Sequence, residues 1–280
     1  MTPEAAGDPG QFTNEVVWNR LDGGHSMIGP FSAATIDRML QGARLGKNPR
    51  ILDIGCGLGA WILRALELYP DAHGVGVDVS RAHVERARAE AERRGVADRF
   101  TGQVGDAWDL VRTGDFDLVM CVGLSDVLGG TGTTLRELIR PRLRDGGVVV
   151  LGETFWRRPP DEAALRSLGV AEDRYRDLEG VFDEVIAAGG LPVDAHVSTE
   201  TEWDAYMWAC VRALADWGLD EAPPEEQGEI LRFMADYRDA WLQGFRGKLG
   251  FITLLLRPVP LRLSVLAGRR PAWAPPPWTA

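Results

Sequence analysis

The chain is short of lysine and of positive charge. It has only two lysines in 280 residues, Lys47 and Lys248, and its formal net charge is −10. Proteins that bind nucleic acid usually present a basic face to the phosphate backbone. The charge balance therefore predicts that nucleic acid is not a partner.

Long apolar runs and paired cysteines are also missing. Runs such as 148–151 and 251–256 have the length of a strand, whereas a membrane-spanning helix needs about 20 apolar residues. Residues 1–10 carry acidic groups instead of the basic and apolar regions of a signal peptide. We therefore expect a cytoplasmic protein with no membrane partner.

The three cysteines, Cys56, Cys121 and Cys210, are far apart, and no Cys/His cluster accompanies them. Such spacing indicates reduced, buried thiols and predicts neither a disulfide framework nor a metal site.

Short apolar segments alternate with helical patterns along most of the chain. This alternation is typical of an α/β protein whose parallel sheet is covered by helices on both faces. Strands are predicted at 50–54, 74–79, 99–104, 116–122, 147–153, 191–198 and 249–256, and helices at 36–43, 58–69, 81–94 and 134–143.

A long helical stretch separates the last two predicted strands. It carries two stripes rich in aromatic residues, one from Trp203 to Trp217 and one from Ile230 to Phe245. Such stripes usually pack into a core or against another helix, and a lid over an active site is the alternative. The tail from Pro258 onward is rich in proline, so we expect it to follow the surface or to be partly disordered.

The most informative segment is the turn after the first predicted strand, Asp53-x-Gly55-x-Gly57-x-Gly59. Alternate glycines let the backbone bend sharply and approach a ligand closely. A dinucleotide-binding turn is an alternative, because Gly55, Gly57 and Ala60 also satisfy its spacing. Asp53 disfavours this alternative, since a dinucleotide turn usually has an apolar residue at that position. Its negative charge favours a ligand with positive charge.

Two more acidic residues follow later strands at matching positions. Asp78 ends the second strand, where a carboxylate can accept hydrogen bonds from both hydroxyls of a ribose. Asp106 follows the third strand within Gly105-Asp106-Ala107, where it can accept a hydrogen bond from an adenine amino group.

In these motifs, in residues 116–120 and in the Arg144-Asp145-Gly146-Gly147 turn, the sequence resembles the class I S-adenosylmethionine-dependent methyltransferases. The resemblance covers roughly residues 50–153, and the motifs occur in the family's order. It implies a Rossmann-like seven-stranded sheet with helices on both faces, a last strand that is antiparallel, and a helical lid between the last two strands.

The resemblance also implies S-adenosylmethionine as the cofactor and a set of residues that bind it. The glycines would hold the methionine part, Asp78 the ribose, and Asp106 with Ala107 the adenine. The implied cofactor-binding residues are Asp53, Gly55, Cys56, Gly57, Gly59, Asp78, Val79, Gly105, Asp106, Ala107, Cys121 and Val122.

A division of the chain into five parts follows from the same reading. Residues 1–47 form an N-terminal segment and helix over the cofactor site, and residues 48–198 form the cofactor-binding core. A helical insertion or lid follows at 199–247, then a final core strand at 248–257 and a Pro-rich tail at 258–280.

Residues 122–130 and 151–160 are similar to a bacterial subgroup of small-molecule methyltransferases, in which a histidine is common at the position of Asp126. We therefore predict O-, N- or C-methylation of a small molecule, with secondary metabolism as one setting. The Trp-rich insertion suggests an apolar or aromatic acceptor. A general base helps if the acceptor is an alcohol or phenol. The candidate catalytic residues are His25, Asp126, Glu153 and Tyr206.

Other functions remain open from the sequence. An enzyme of this fold can use bound S-adenosylmethionine to catalyse a rearrangement or cyclisation without methyl transfer. A dinucleotide-dependent oxidoreductase and a non-catalytic binding module are further alternatives.

Overall fold

The computed structural model describes residues 28–110 and 114–259. The described residues form one seven-stranded sheet, with strands β1 (Arg50–Ile54), β2 (His73–Asp78), β3 (Phe100–Val104), β4 (Phe116–Val122), β5 (Leu143–Trp156), β6 (Gly190–Val197) and β7 (Leu249–Pro258). The predicted Pro-rich tail lies almost wholly outside these residues.

Helices connect the strands. The α-helices are α1 (Ala33–Gly42), α2 (Ala60–Leu68), α3 (Arg81–Arg93), α4 (Ala107–Leu110), α5 (Thr131–Thr133), α6 (Glu162–Leu168), α7 (Leu178–Ala187), α8 (Glu200–Asp216) and α9 (Pro224–Asp239). Helices α5, α8 and α9 continue directly into π-helical segments at Thr134–Ile139, Trp217–Glu221 and Ala240–Phe245. Short 3₁₀ turns lie at Ala97–Arg99, Arg140–Arg142 and Glu172–Arg174.

The strand order is β3-β2-β1-β4-β5-β7-β6. Strands β1 to β5 pair in parallel, and β7 runs antiparallel to both β5 and β6. This confirms the predicted α/β fold with an antiparallel last strand. The chain moves outward from β1 to β3 and then returns to place β4 on the other side of β1. In open α/β sheets, ligands bind at such a switch point, beyond the carboxyl ends of the strands.

Helices cover both faces of the sheet. Since consecutive strand residues point to opposite faces, both sets of side chains are buried. In β1, Ile51 packs on the face covered by α1, α2 and α3, while Leu52 packs on the face covered by α7 and the segment after α5. The central strands are therefore continuous apolar runs, which is why the sequence pattern locates them well.

The segment between β4 and β5 differs from the prediction. A helix was expected over 134–143, but helical structure begins at Thr131, and β5 begins at Leu143. The predicted Asp145-Gly146-Gly147 turn lies within β5, where the pairing shifts from Phe116–Leu143 to Leu118–Val148. Gly146 has a φ of +78°, so a glycine lets the strand bulge without ending.

Helices α6 and α7 were not predicted, although the sequence carries their signals. Asp161 and Asp177 cap their N-termini by accepting hydrogen bonds from the N–H groups of Ala164 and Gly180. Gly169 ends α6 in the left-handed conformation.

The insertion between β6 and β7 packs as two helices, α8 and α9, against each other and against α6. Trp241, only 1% exposed, packs with Met207 and Phe245 beside residues of α6, while Trp217 and Ile230 pack in a neighbouring cluster. The aromatic stripes are therefore core and helix-pairing surface. No helix within 28–110 and 114–259 is long and apolar enough to cross a membrane.

Candidate active site

The glycine turn between β1 and α2 has the shape of a close-approach loop. Gly55, Gly57 and Gly59 have φ values of +69°, +50° and +81°, which favour glycine. A Cβ added at Gly55 would lie 1.6 Å from Leu124 Cδ1, and one at Gly57 would lie 2.9 Å from Ile28 Cδ1. Backbone conformation therefore favours glycine at these positions, and the side chains of Leu124 and Ile28 pack against Gly55 and Gly57.

Asp78, at the end of β2, holds this loop in place. Its Oδ2 accepts a hydrogen bond from Gly57 N at 2.9 Å, and its Oδ1 accepts one from Ser80 N at 2.8 Å. Burial raises the pKa of Asp78, but hydrogen bonds from His83, Ser80 and Gly57 outweigh it and lower the pKa overall. The carboxylate is therefore ionised, and it has a loop-positioning contact that the sequence reading did not foresee.

Asp53 lies beneath the loop and is 2% exposed. Its Oδ2 has no hydrogen-bond partner among the described residues. Burial, with a smaller effect from the negative charge of Asp78, raises the pKa of Asp53 to about 8. A positively charged ligand group nearby would favour the ionised carboxylate again.

The residues proposed for adenine follow β3 directly. Gly105 N donates to the carbonyl oxygen of Asp78 at 2.9 Å, which brings this turn beside the end of β2. Asp106 is exposed, and its Oδ1 accepts a hydrogen bond from Trp108 N at 2.8 Å. Ala107 is buried. Asp106 is thus exposed beside the carboxyl end of β2, and Trp108 contacts only one of its two carboxylate oxygens.

The other residues predicted to contact the cofactor differ in their exposure. The side chains of Cys56 and Cys121 are buried in the two cores of the sheet, and burial raises the pKa of both thiols. Val122 is half-buried, and Val79 is 75% exposed. The two thiols are therefore buried and protonated, so a ligand contact by either cysteine would involve its backbone.

A cavity of about 460 Å³ opens at the carboxyl ends of β4 and β5. Its wall begins at Gly123, directly after the end of β4. The polar residues that line it are Ser125, Asp126, Thr131, Thr133, Arg136, Glu153, Thr154, Asp173, Arg174, Tyr175, Arg176 and Glu184. This volume is in the range that holds a small molecule.

Glu153 is the most deeply buried acid of this cavity. It is 5% exposed, and Ser125 Oγ donates a short hydrogen bond to its Oε2. Its Oε1 has no well-formed hydrogen bond among the described residues. Burial raises the pKa of Glu153 to about 8, against the opposing effect of the Ser125 and Thr131 hydroxyls. Glu153 lies inside β5, three residues before Trp156, and not at the strand end as the sequence suggested.

The other three catalytic candidates do not join Glu153 as a group. Asp126 lines the cavity, but its Oδ2 is paired with Arg174 Nη2 at 3.0 Å. Tyr206 lies on α8 between two apolar clusters and does not line the cavity. His25 lies outside the described residues. The structure therefore brings together Glu153 and Asp126, with Asp126 already in an ion pair.

Several cavity residues were missed from the sequence. Ser125 and Thr131 influence Glu153, while Tyr175 is buried beside the cavity and Arg174 pairs with Asp126. Ser125 belongs to the segment after β4 that resembled the bacterial subgroup, so it was within reach of sequence reasoning. Arg174 and Tyr175 carried no signal, because their partners lie far away in the chain.

No group of three or more His, Cys, Asp or Glu side chains within 28–110 and 114–259 is arranged to hold a metal ion. Independence from metals stays a prediction.

The two buried carboxyls predict how stability depends on pH. Asp53 and Glu153 have ordinary pKa values of 3.8 and 4.5 and folded values of about 8. Between these limits the folded state binds more protons than the unfolded state, so the free energy of unfolding falls as pH rises. We expect a decrease of a few kcal/mol between about pH 5 and about pH 8, measured by urea unfolding. A free energy of unfolding that is constant or rises over this window would contradict the burial of these carboxyls.

Comparison with known proteins gives a consistent picture. Residues 51–147, from β1 into the bulged part of β5, match a family described as "Methyltransferase domain". A solved methyltransferase from Geobacter sulfurreducens, described as dependent on S-adenosylmethionine and bound to S-adenosyl-L-homocysteine, is 25% identical with a TM-score of 0.80. The match covers 87% of this chain and 98% of that one.

Two curated relatives differ in how much of their length is matched. The uncharacterized protein YjhP of Escherichia coli strain K12 is 29% identical over 213 residues, which cover 72% of this chain and 81% of YjhP. Erythromycin 3''-O-methyltransferase of Saccharopolyspora erythraea is 30% identical over 174 residues, which cover 59% of this chain and 51% of that enzyme. The chain thus spans about half the length of the second relative.

Proposed function

Because the chain belongs to the class I S-adenosylmethionine-dependent methyltransferase superfamily, we propose that it methylates a small-molecule acceptor held in the cavity at the ends of β4 and β5. The observation that carries this proposal is the buried Glu153 in a cavity that begins one residue beyond β4. The similarity to a methyltransferase named for erythromycin supports a small-molecule acceptor.

The residues around the glycine turn suit S-adenosylmethionine. The turn carries glycines in left-handed conformations, and Asp53 offers a buried carboxylate oxygen to a group with positive charge. Asp78 is ionised and can accept hydrogen bonds from ribose hydroxyls while it holds Gly57. When bound, the cofactor supplies a methyl group on a positively charged sulfur, which leaves as a neutral thioether.

Glu153 has the properties of a proton acceptor for an acceptor hydroxyl. A general base is most effective when its pKa lies near the working pH. Glu153, with a pKa of about 8, is poised to take the hydroxyl proton as the oxygen forms its bond to the methyl carbon. Ser125 and Asp126 would fix the walls of the cavity, and alignment with exclusion of water would supply most of the acceleration.

None of residues 199–247 lines this cavity, so their role as a lid stays a prediction. The aromatic stripes pack in the interior, and the cavity is lined mainly by polar groups. We therefore propose a polar acceptor in place of the apolar or aromatic one suggested by the tryptophans.

Product analysis tests this function. The purified protein is incubated with methyl-labelled S-adenosylmethionine and a library of small hydroxylated and amine compounds. We expect S-adenosylhomocysteine to accumulate in equal amount to a labelled product, and only when an acceptor is present. Conversion of a library compound without S-adenosylhomocysteine would overturn methyl transfer and support the rearrangement or cyclisation alternative.

A further inference from the structure

The charged residues of the cavity are mostly paired with one another. Arg174 forms an ion pair with Asp126 at 3.0 Å, and Arg176 forms one with Glu184 at 2.7 Å. The third arginine of the cavity wall, Arg136, is exposed to solvent and takes part in none of the ion pairs found among the described residues. One positive charge of the wall is therefore available for a ligand.

Arg136 lies beside the turn that also reaches Glu153. An added Cβ at Gly132 would lie 3.0 Å from Arg136 Nη1, so the guanidinium lies directly over this glycine, and both residues line the cavity. The preceding residue, Thr131, is close enough to Glu153 to lower its pKa. Thr131 and Gly132 are consecutive, so the same turn lies beside both Glu153 and Arg136.

Glu153 does not neutralise Arg136 at ordinary pH. The carboxyl is mostly protonated below about pH 8, because its burial disfavours the charged form. The other acids of the wall, Asp126 and Glu184, are held by their own arginines, and Asp173 is exposed at the rim. At ordinary pH the cavity therefore presents the positive Arg136 near a largely neutral carboxyl, and only the ionised fraction of Glu153 can accept a proton.

We propose that the acceptor is a small hydroxy acid, whose carboxylate binds Arg136 and whose hydroxyl lies at Glu153. This inference rests on the proposed function, because it takes the cavity to be the acceptor site. Arginine suits this task, since its planar guanidinium can donate two parallel hydrogen bonds to one carboxylate.

Matched pairs of probes test the charge preference. Para-hydroxybenzoate and mandelate are compared with their carboxamides, para-hydroxybenzamide and mandelamide, for binding to the full chain saturated with S-adenosylhomocysteine. We expect the carboxylates to bind about ten- to a hundredfold more tightly, the usual effect of a hydrogen bond to a charged group. Arg136→Gln should remove this difference, and Arg136→Lys should keep part of it.

The control is Arg166→Gln, which alters an exposed arginine of α6 that pairs with Glu162 and does not line the cavity. It should leave the preference unchanged. Three results would overturn the inference. Acids and amides could bind equally, or Arg136→Gln could keep the preference. The third is that neither acid binds at about 10 mM, a concentration about a thousandfold above a dissociation constant of about 10 μM.

The same titrations separate this inference from the proposed function. If S-adenosylhomocysteine binds and the carboxylate preference is absent, the acceptor class is wrong and methyl transfer stands. If the preference is present in the chain alone and S-adenosylhomocysteine does not bind, the cavity selects acids and the proposed function is wrong.

Discussion

Replacing Asp78 by alanine is expected to weaken the binding of S-adenosylhomocysteine by about ten- to a hundredfold, since a hydrogen bond to a charged group contributes about 1.5–3 kcal/mol. The variant loses the proposed ribose contact and the carboxylate that accepts a hydrogen bond from Gly57. The effect on affinity should therefore be at the upper end of this range. Calorimetric titration of the purified variant measures it.

Asp71→Ala is the matched control. Asp71 also accepts a hydrogen bond from a backbone N–H group, that of Asn48 at 2.7 Å. It precedes β2, however, and therefore lies at the amino end of this strand, whereas Asp78 lies at the carboxyl end. Its replacement should leave the affinity unchanged. Equal affinities of Asp78→Ala and the unaltered protein would show that Asp78 neither binds the ribose nor positions the glycine turn.

Glu153→Gln is expected to lower the rate of methyl transfer to a hydroxylated acceptor by about 10²–10⁴-fold, the usual contribution of a general base. Affinity for S-adenosylhomocysteine should stay within about twofold, because glutamine has the same shape and Glu153 makes no proposed cofactor contact. The comparison of single-turnover rates with calorimetric affinities separates the two effects.

The pH profile distinguishes a base from a residue that only supports the fold. The ionised form of Glu153 accepts the proton, so the rate of the unaltered protein should rise with pH and level off above about 8. The variant should lack this step. Glu162→Gln, the same substitution at an exposed position of α6, should keep it. A profile with the same step in Glu153→Gln would assign the titration to another group.

Local sequence signals were sufficient to predict the conformation of the turn that we assign to the cofactor. The glycine turn and Asp78 lie within 26 residues of each other, and their roles depend on backbone conformation that glycine and strand patterns reveal directly. Strand β1 and strand β4 have the predicted bounds for the same reason, since buried parallel strands are continuous apolar runs.

The proposed acceptor cavity depends on contacts between distant residues. Arg174 reaches Asp126 across 48 positions of the chain, and Ser125 reaches Glu153 across 28. No spacing rule connects such pairs, so the cavity's polarity was not visible in the sequence. The tryptophans of the insertion were visible, but their position on a helix face does not say whether the opposite surface is a pocket or another helix.

The most direct test of the account is calorimetric titration of the full chain with S-adenosylmethionine, S-adenosylhomocysteine and NAD. We expect both sulfur compounds to bind with one site per chain and dissociation constants of about micromolar, equivalent to about 8 kcal/mol. NAD should give no binding heat. Binding of NAD, or of none of the three, would contradict the assignment of the glycine turn to S-adenosylmethionine.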